Sequence, residues 1–348
     1  MVSRTFASIV VVATALVFGL VGSSTAGEPA KAPGGCRSPL ISTVNGCKGP
    51  AAVSKKLDLI VRQSKQANFL RAVVARVDAA GKILLRRGYG DSQTDVPAAP
   101  NMNFRVGSMT IPVLTSVVYQ LRDEGKLTLD RPISKWLPAI PRSSQVTIRM
   151  LMNNTSGYFD WIQGNDEFID ALYADPFRVW SDSELLTTAL ARGSACDPGT
   201  CFHYAHTNYL ILARIVRRVA PGTLVSQLNK RVLGPTGVKM NFSRLAPIPK
   251  PVLSAFTPER GVYEDSTNWS PSWGLGNGML ATTSIDNVAR LAKGTLSGST
   301  LSPESRRDIV KRYGPELSPG NDSLYFAQGM MALAVAGEAI ALAVAMRA

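Results

Sequence analysis

The spacing of apolar and polar residues predicts a helix and then a β-hairpin in the first third of the chain. Apolar residues recur at helical spacing in Leu57–Gln66, whereas Arg71–Val77 and Lys82–Arg87 are rich in residues that favour strands. The small residues Ala79-Ala80-Gly81 between these two runs are typical of a turn. We therefore expect one helix followed by two antiparallel strands.

Most of the remaining chain has the periodicity of helices. The segments in which this spacing is found are 108–126, 207–220, Ile285–Leu296 and Ser302–Lys311. Stretches rich in Pro, Ser and Gly at 245–258 and 268–278 indicate loops. A hairpin followed by a long, mostly helical stretch predicts the α+β class, and the sequence contains no repeat of 20–50 residues.

The first 26 residues predict export. Arg4 precedes the apolar run Ile9–Val21, and the small residues Ser24 and Ala26 occupy positions −3 and −1 of a cleavage site. The alternative is an uncleaved membrane anchor, but these thirteen residues would span only about 20 Å as a helix, less than the hydrocarbon core of about 30 Å. We expect a cleaved signal peptide over residues 1–26, a secreted protein of the cell envelope, and no stable membrane span after cleavage.

Composition and charge narrow the class of protein and of partner. With 45% hydrophobic and 18% charged residues among 348, the chain is too apolar to be disordered. Lys and Arg number 38 against 25 Asp and Glu, so the net charge is +13, which favours a polyanion such as an anionic cell-wall polymer. Because no run of five or more basic residues occurs, nucleic acid is not an expected partner.

The four cysteines form two local pairs. Cys36 and Cys47 lie in an irregular arm over residues 27–54, and Cys196 and Cys201 lie close together later in the chain. Local disulfides are expected in an exported protein, although three connectivities remain open. The second pair and the two histidines of the chain also form a C-x4-C-x-H-x2-H cluster, for which zinc is the alternative. We favour the disulfide and expect neither a metal nor a cofactor.

One serine is placed where a nucleophile could act. The segment Phe104–Pro112 (FRVGSMTIP) puts Ser108 after a glycine at the start of a predicted helix, where the helix dipole stabilises negative charge. Pro112 fits an early helical turn, in which a missing N–H costs little. Serine is also a good N-cap, so this pattern alone leaves a purely structural role open.

Four segments in the same order carry a resemblance to a known family. They are Ser108–Pro138, Val146–Asp160 (VTIRMLMNNTSGYFD), Phe202–Val219 (FHYAHTNYLILARIVRRV) and Gly274–Ile309. Together they resemble the serine β-lactamase and D-alanyl-D-alanine carboxypeptidase family, of the penicillin-binding-protein-like, class C type. The resemblance covers residues 55–330 and implies an antiparallel sheet flanked by helices, an all-helical part over roughly 108–280, and a site between the two parts.

The resemblance also implies an acyl-transfer reaction. Ser108 matches the nucleophile that forms a covalent acyl-enzyme with a D-alanyl peptide, a β-lactam or an ester, and Tyr204 matches the tyrosine that assists proton transfer. The implied substrate is a small molecule or a peptidoglycan-type peptide. A serine hydroxyl is a weak nucleophile without a neighbouring base. The family supplies a lysine three residues after the serine, one helical turn on.

Two positions depart from the family pattern. Ile111 stands where the motif lysine is expected, and an isoleucine can neither accept a proton nor supply a positive charge. His206 stands where the family has an asparagine that resembles a substrate-amide contact. His206 could therefore bind substrate, replace the missing base near Ser108, or be only a polar residue of the cleft.

The C-terminal end departs as well. No Lys-Thr-Gly or His-Thr-Gly occurs after residue 280, so we expect the C-terminal strands to be incomplete. Residues 331–348 form an apolar tail that could be a hairpin, although its alanine content favours a helix. Glu338 in its middle makes it a poor membrane span.

These observations lead to two competing hypotheses. The first is an exported serine hydrolase whose activity is impaired. The second is a non-catalytic cell-envelope protein that keeps the fold and binds wall peptide or a partner. A decayed chain without a stable function is a third alternative.

Overall fold

The computed structural model describes residues 50–79, 82–276, 278–297, 300–315, 324–335 and 338–342. The predicted signal peptide and the cysteines Cys36 and Cys47 lie outside the described residues. Within the described ranges, no helix is both long enough and apolar enough to cross a membrane.

Ten helices are described, and most of them lie in the middle of the chain. In order they are α1 (Pro50–Ala67), α2 (Ile111–Asp123), α3 (Ile148–Met152), α4 (Asp166–Ala174), α5 (Asp182–Ala191), α6 (His206–Val219), α7 (Leu224–Leu228), α8 (Gly234–Thr236), α9 (Ile285–Ser297) and α10 (Pro303–Ile309). Short 3₁₀ turns at Gly107–Thr110 and Ile133–Lys135 and a π-helical turn at Asn229–Leu233 complete the helical part.

The described strands form small antiparallel sheets near the two ends of the domain. They are β1 (Ala72–Ala79), β2 (Lys82–Gln93), β3 (Val96–Pro97), β4 (Phe104–Arg105), β5 (Phe256–Thr257), β6 (Glu264–Asp265), β7 (Thr282–Thr283), β8 (Leu324–Phe326), β9 (Met331–Val335) and β10 (Glu338–Leu342). The orders are β1-β2-β3 and β10-β9-β8, with β4 paired to β7 and β5 to β6. The architecture is therefore the mixed α+β that the sequence predicts.

The hairpin prediction is confirmed, and the helix before it is longer than predicted. β1 and β2 pair from Ala72 opposite Gly90 to Ala79 opposite Lys82. α1 begins at Pro50, so the last five residues of the arm expected over 27–54 are helical. Its inward face is set by Val53 and Leu57 at a spacing of four, whereas Leu59 and Ile60 are exposed.

The C-terminal tail forms strands where alanine content favoured a helix. β9 and β10 pair antiparallel, with Val335 opposite Glu338. Pairing with β8 supplies a second set of backbone hydrogen bonds to β9, which outweighs the weak helical preference of alanine. None of the three described C-terminal strands carries a Lys-Thr-Gly or His-Thr-Gly sequence.

The largest apolar cluster is built around α2 and α6. The buried apolar residues of α2 are Ile111, Val113, Leu114, Val117, Val118, Tyr119 and Leu121, and those of α6 are Tyr209, Leu210, Ile211, Leu212, Ala213, Ile215 and Val216. A second, smaller cluster joins β1 to α9 and includes Val106 and Met109. Ser108 therefore lies in the chain between residues of the two clusters.

A half-buried arginine anchors the strand that leads to Ser108. Arg105 in β4 donates to the carbonyls of Thr267 (2.5 Å), Ala246 (2.9 Å) and Trp269 (3.0 Å). Burial lowers the pKa of Arg105 to about 10, so the guanidinium still carries its charge at neutral pH. These bonds tie two long loops to β4 and hold the entry to the Gly107–Thr110 turn in place.

The burial of α2 makes a direct prediction about stability. Leu114 is completely buried, and replacing it with alanine leaves a cavity in the main cluster. We expect Leu114→Ala to lower the free energy of unfolding by about 2–5 kcal/mol, measured by urea denaturation. Leu59→Ala, at an exposed position of α1, is the matched control and should change the free energy of unfolding by no more than about 0.5 kcal/mol. Equal effects of the two substitutions would contradict this account of the core.

Candidate active site

Ser108 lies in the 3₁₀ turn that precedes α2, and its hydroxyl meets a tyrosine. Gly107 has φ +55°, a conformation that glycine adopts readily. Ser108 Oγ lies 2.9 Å from Tyr204 Oη, within hydrogen-bond distance. The N-cap of α2 is Thr110, without a side-chain capping bond. Ser108 is therefore not a helix cap, and the structure brings the two predicted catalytic residues together.

Tyr204 is buried immediately before α6. Its ring lies among those of Tyr209 (6.2 Å between centroids), Phe326 (6.0 Å) and His206 (5.4 Å). Burial raises the pKa of Tyr204 well above its ordinary value; the hydrogen bond from Ser108 lowers it less, and the nearby Asp160 carboxylate raises it further. The phenol is therefore neutral at neutral pH, so it can both accept a proton from Ser108 and donate its own.

A loop closed by a disulfide holds the segment that immediately precedes Tyr204. Cys196 and Cys201 are joined by a disulfide, which is the local pairing expected for them. The loop between them packs on the segment 154–158, where Gly199 N donates to the carbonyl of Thr155 at 2.7 Å. With its thiols oxidised, the C-x4-C-x-H-x2-H sequence lacks the thiolates that zinc requires. The described residues contain no group of three or more His, Cys, Asp and Glu that could hold a metal ion.

Buried polar side chains connect the segment 154–158 to α6. Asn154 donates to Tyr209 Oη at 2.6 Å and accepts from Asn208 Nδ2 at 2.9 Å. Ser156 Oγ donates to Asn208 Oδ1 at 2.5 Å. Because each of these groups has a partner, the network holds the start of α6 rigidly despite its burial.

His206, the first residue of α6, is paired with a buried carboxylate. Its Nδ1 lies 2.8 Å from Asp160 Oδ2, and its backbone N–H donates to the same oxygen. Burial raises the pKa of Asp160, but the charge and hydrogen bond of His206 together with backbone N–H groups outweigh it, so the pKa stays below that of an ordinary aspartate. The ring of His206 is nearly edge-on to that of Tyr204, with an angle of 82° between their planes.

Ile111 belongs to the core, as part of the face of α2 that packs on the β8–β9 connection. It is 1% exposed. A Cβ on Gly329 would lie 2.6 Å from Thr115 Cγ2 and 3.0 Å from Ile111 Cγ2, and the φ of Gly329 is +85°. Only glycine allows the connection to pass this close to the helix. Within the described part of the chain, no lysine or arginine is hydrogen-bonded to Ser108 or Tyr204.

Three residues of the site have no role that their local sequence predicts: Asp160, Asn154 and Phe326. Asp160 closes the quoted segment Val146–Asp160, but nothing in its local pattern indicates that it pairs with a histidine 46 positions later. Phe326 comes from β8, whose contact with Tyr204 depends on the fold of the C-terminal strands. Pairings of this kind need the tertiary structure.

Curated proteins resemble about half of the chain. PbpX of Bacillus subtilis (strain 168), a protein named for penicillin binding, is 26% identical over 190 residues, which cover 53% of this chain and 45% of PbpX. Esterase EstB of Burkholderia gladioli is 28% identical over 201 residues, which cover 54% of this chain and 51% of EstB. The chain thus matches about half the length of these relatives.

Solved structures share the fold over more of the chain. A D-amino acid amidase from Ochrobactrum anthropi SV3, in complex with L-phenylalanine amide, has a TM-score of 0.70 and 18% identity and covers 83% of each chain. An octameric penicillin-binding protein homologue from Pyrococcus abyssi has a TM-score of 0.68 and 19% identity over 82% of this chain and 66% of its own. At this identity the likeness establishes the β-lactamase/transpeptidase-like fold alone.

A family model extends the match to most of the sequence. The model described as Beta-lactamase matches residues 57–333, a range that contains Ser108, Tyr204 and every residue of the site described above. The chain belongs to the beta-lactamase family.

Proposed function

We propose that the protein is an exported serine hydrolase in which Ser108 is the acylated nucleophile and Tyr204 relays its proton. The observation that carries this proposal is the 2.9 Å contact between the two hydroxyls. A neutral phenol at this distance can accept the serine proton as its own proton passes on to an acceptor, while the serine oxygen attacks an acyl carbon. The covalent acyl-enzyme is then hydrolysed by water.

The proposed substrates are acyl compounds of small size: D-alanyl peptides of the peptidoglycan type, β-lactams or esters. Relatives are named for penicillin binding and for esterase activity, and a structural neighbour is named as an amidase. These names share one chemistry, the attack of a nucleophile on an acyl carbon. That shared chemistry supports acyl transfer as the reaction class. It does not identify the leaving group.

The proposed compartment is the cell envelope. The basic, apolar and small residues of the export signal over residues 1–26 support this proposal. The Cys196–Cys201 disulfide supports it too, since disulfides persist in oxidising compartments. The net charge of +13 would favour an anionic wall polymer as a partner.

The proposed activity is impaired because Ile111 replaces the motif lysine and because none of the described C-terminal strands carries a Lys-Thr-Gly or His-Thr-Gly sequence. General-base assistance is worth about 10²–10⁴-fold in rate, and a buried isoleucine supplies none. The same observation favours the second candidate function, a non-catalytic cell-envelope protein that binds wall peptide or a partner. The two candidates differ in whether a covalent adduct forms at Ser108.

Acylation of Ser108 tests the proposed function directly. We expect the purified protein to form a slow covalent adduct with a fluorescent penicillin or an activated ester, seen in a gel and located on Ser108 by peptide mass spectrometry. Ser108→Ala should abolish the adduct. The matched control is Ser116→Ala in α2. The hydroxyl of Ser116 donates to the Pro112 carbonyl at 2.7 Å, away from Tyr204, so this substitution should leave labelling of Ser108 unchanged.

Two results would contradict the hydrolase. An adduct that persists in Ser108→Ala would place the nucleophile elsewhere. No adduct with any of these acyl donors, together with measurable binding to wall fragments, would favour the non-catalytic candidate.

Restoring the motif lysine should achieve little. In Ile111→Lys the new ammonium group would be buried in the main apolar cluster, where an unpaired charge is costly. We expect a gain of less than about tenfold in acylation rate, because none of the described C-terminal strands carries the family's Lys-Thr-Gly or His-Thr-Gly either. We also expect a loss of thermal stability. Ile111→Met, of similar volume, is the control for repacking. A gain of a hundredfold or more in Ile111→Lys alone would show that the lysine is the only component the site lacks.

A further inference from the structure

The buried pair of His206 and Asp160 has the geometry of a proton acceptor. Asp160 Oδ1 accepts from the backbone N–H groups of Ile162 (2.7 Å) and Gln163 (3.0 Å), and Oδ2 faces His206. A carboxylate held by this many donors remains ionised and can only accept hydrogen bonds. The hydrogen between the two side chains therefore lies on His206 Nδ1, so in the neutral imidazole the basic lone pair is on Nε2.

The ring of His206 packs against Tyr204, which in turn contacts Ser108. The side chain of His206 is 7% exposed. Its ring centroid lies 5.4 Å from that of Tyr204 and 5.7 Å from that of Trp161. Among the described residues the ring is hydrogen-bonded through Nδ1 to Asp160 and none bonds Nε2. The titratable and charged side chains near the pair are Tyr204, Tyr209, His203 and Arg192. Of these, Tyr204 contacts both the imidazole and Ser108.

We propose that His206, held by Asp160, takes up the proton that Ser108 releases through Tyr204, in place of the lysine that is missing at position 111. This proposal rests on the acyl transfer proposed above. Ser108 Oγ forms a bond to the acyl carbon, its proton passes to Tyr204 Oη, and the phenol proton of Tyr204 passes to His206 Nε2. Asp160 balances the charge of the imidazolium.

The proton returns along the same path. When the tetrahedral intermediate collapses, Tyr204 gives a proton to the leaving group and is reprotonated by His206, which restores both side chains. Among the described residues, the hydroxyl of Tyr204 is hydrogen-bonded to Ser108 and not to the imidazole. The relay therefore requires Tyr204 and His206 to move into hydrogen-bond distance in the reacting complex. His206 thus acts through Tyr204, by accepting the phenol proton and later returning it.

The rate of acylation and its solvent isotope effect test the relay. His206→Asn keeps a donor for Asp160 but removes the basic lone pair. It should lower the rate of adduct formation at Ser108, measured at pH 7.5, by about 10²-fold. It should also change the ratio of the rates in H2O and D2O, because the phenol proton of Tyr204 no longer passes to an imidazole.

Two further variants separate the relay from a structural effect. In Asp160→Asn the imidazolium loses its carboxylate partner, so the rate of adduct formation should fall as well. His203→Asn is the matched control: it removes the other histidine of the chain, which lies three residues earlier, and should leave the rate and the isotope effect unchanged. A loss of rate in His206→Asn with an unchanged isotope effect, or an equal loss of rate in His203→Asn, would overturn the proposal.

Nitrogen-15 NMR of the unaltered protein gives a test that does not depend on a variant folding. The sequence has only two histidines, so their signals can be assigned by His203→Asn. We expect neutral His206 to carry its hydrogen on Nδ1, and the opposite tautomer would overturn the relay. If the unaltered protein forms no adduct at Ser108 at any pH, the proposed function fails together with the relay. An adduct whose rate does not depend on His206 removes the relay alone.

Discussion

Two hydroxyl groups 96 positions apart in the sequence meet because the helices that follow them are buried in one apolar cluster. α2 begins three residues after Ser108, and α6 begins two residues after Tyr204. Each helix has apolar residues around most of its circumference, so neither can turn or slide without exposing apolar surface. The distance between the hydroxyls is therefore set by core packing, and the polar network of the segment 154–158 only refines it.

This constraint explains why the fold tolerates Ile111. Position 111 lies on the first turn of α2, among the residues that pack on the β8–β9 connection. Full burial of an isoleucine stabilises a fold by about 1.5–3 kcal/mol, whereas an ammonium group there would need a carboxylate or several carbonyls as partners. The substitution thus favours the stability of the fold at the expense of the chemistry that the family lysine would supply. Ser108 and Tyr204 stay in place because other residues hold them.

The amino-acid sequence alone predicts the elements of the fold that depend on the local spacing of apolar residues. The hairpin, α2, α6 and the start of α10 at Ser302 follow from spacing and capping, and the resemblance placed Ser108 and Tyr204 in one site. Contacts between distant segments could not be derived, because a single sequence does not show which residues meet. The pairing of His206 with Asp160 and the strand structure of the tail are of this kind.

The contact of Ser108 with Tyr204 has a structural use as well as a chemical one. The phenol is buried, and among the described residues its hydroxyl bonds only Ser108, so the serine also satisfies a buried polar group. A protein that retains only the fold would keep this pair for that reason. His206 differs, because its Nδ1 satisfies Asp160 while its Nε2 stabilises nothing that is described in the fold. An asparagine side chain can also donate a hydrogen bond to a carboxylate, so the bond to Asp160 alone does not require an imidazole.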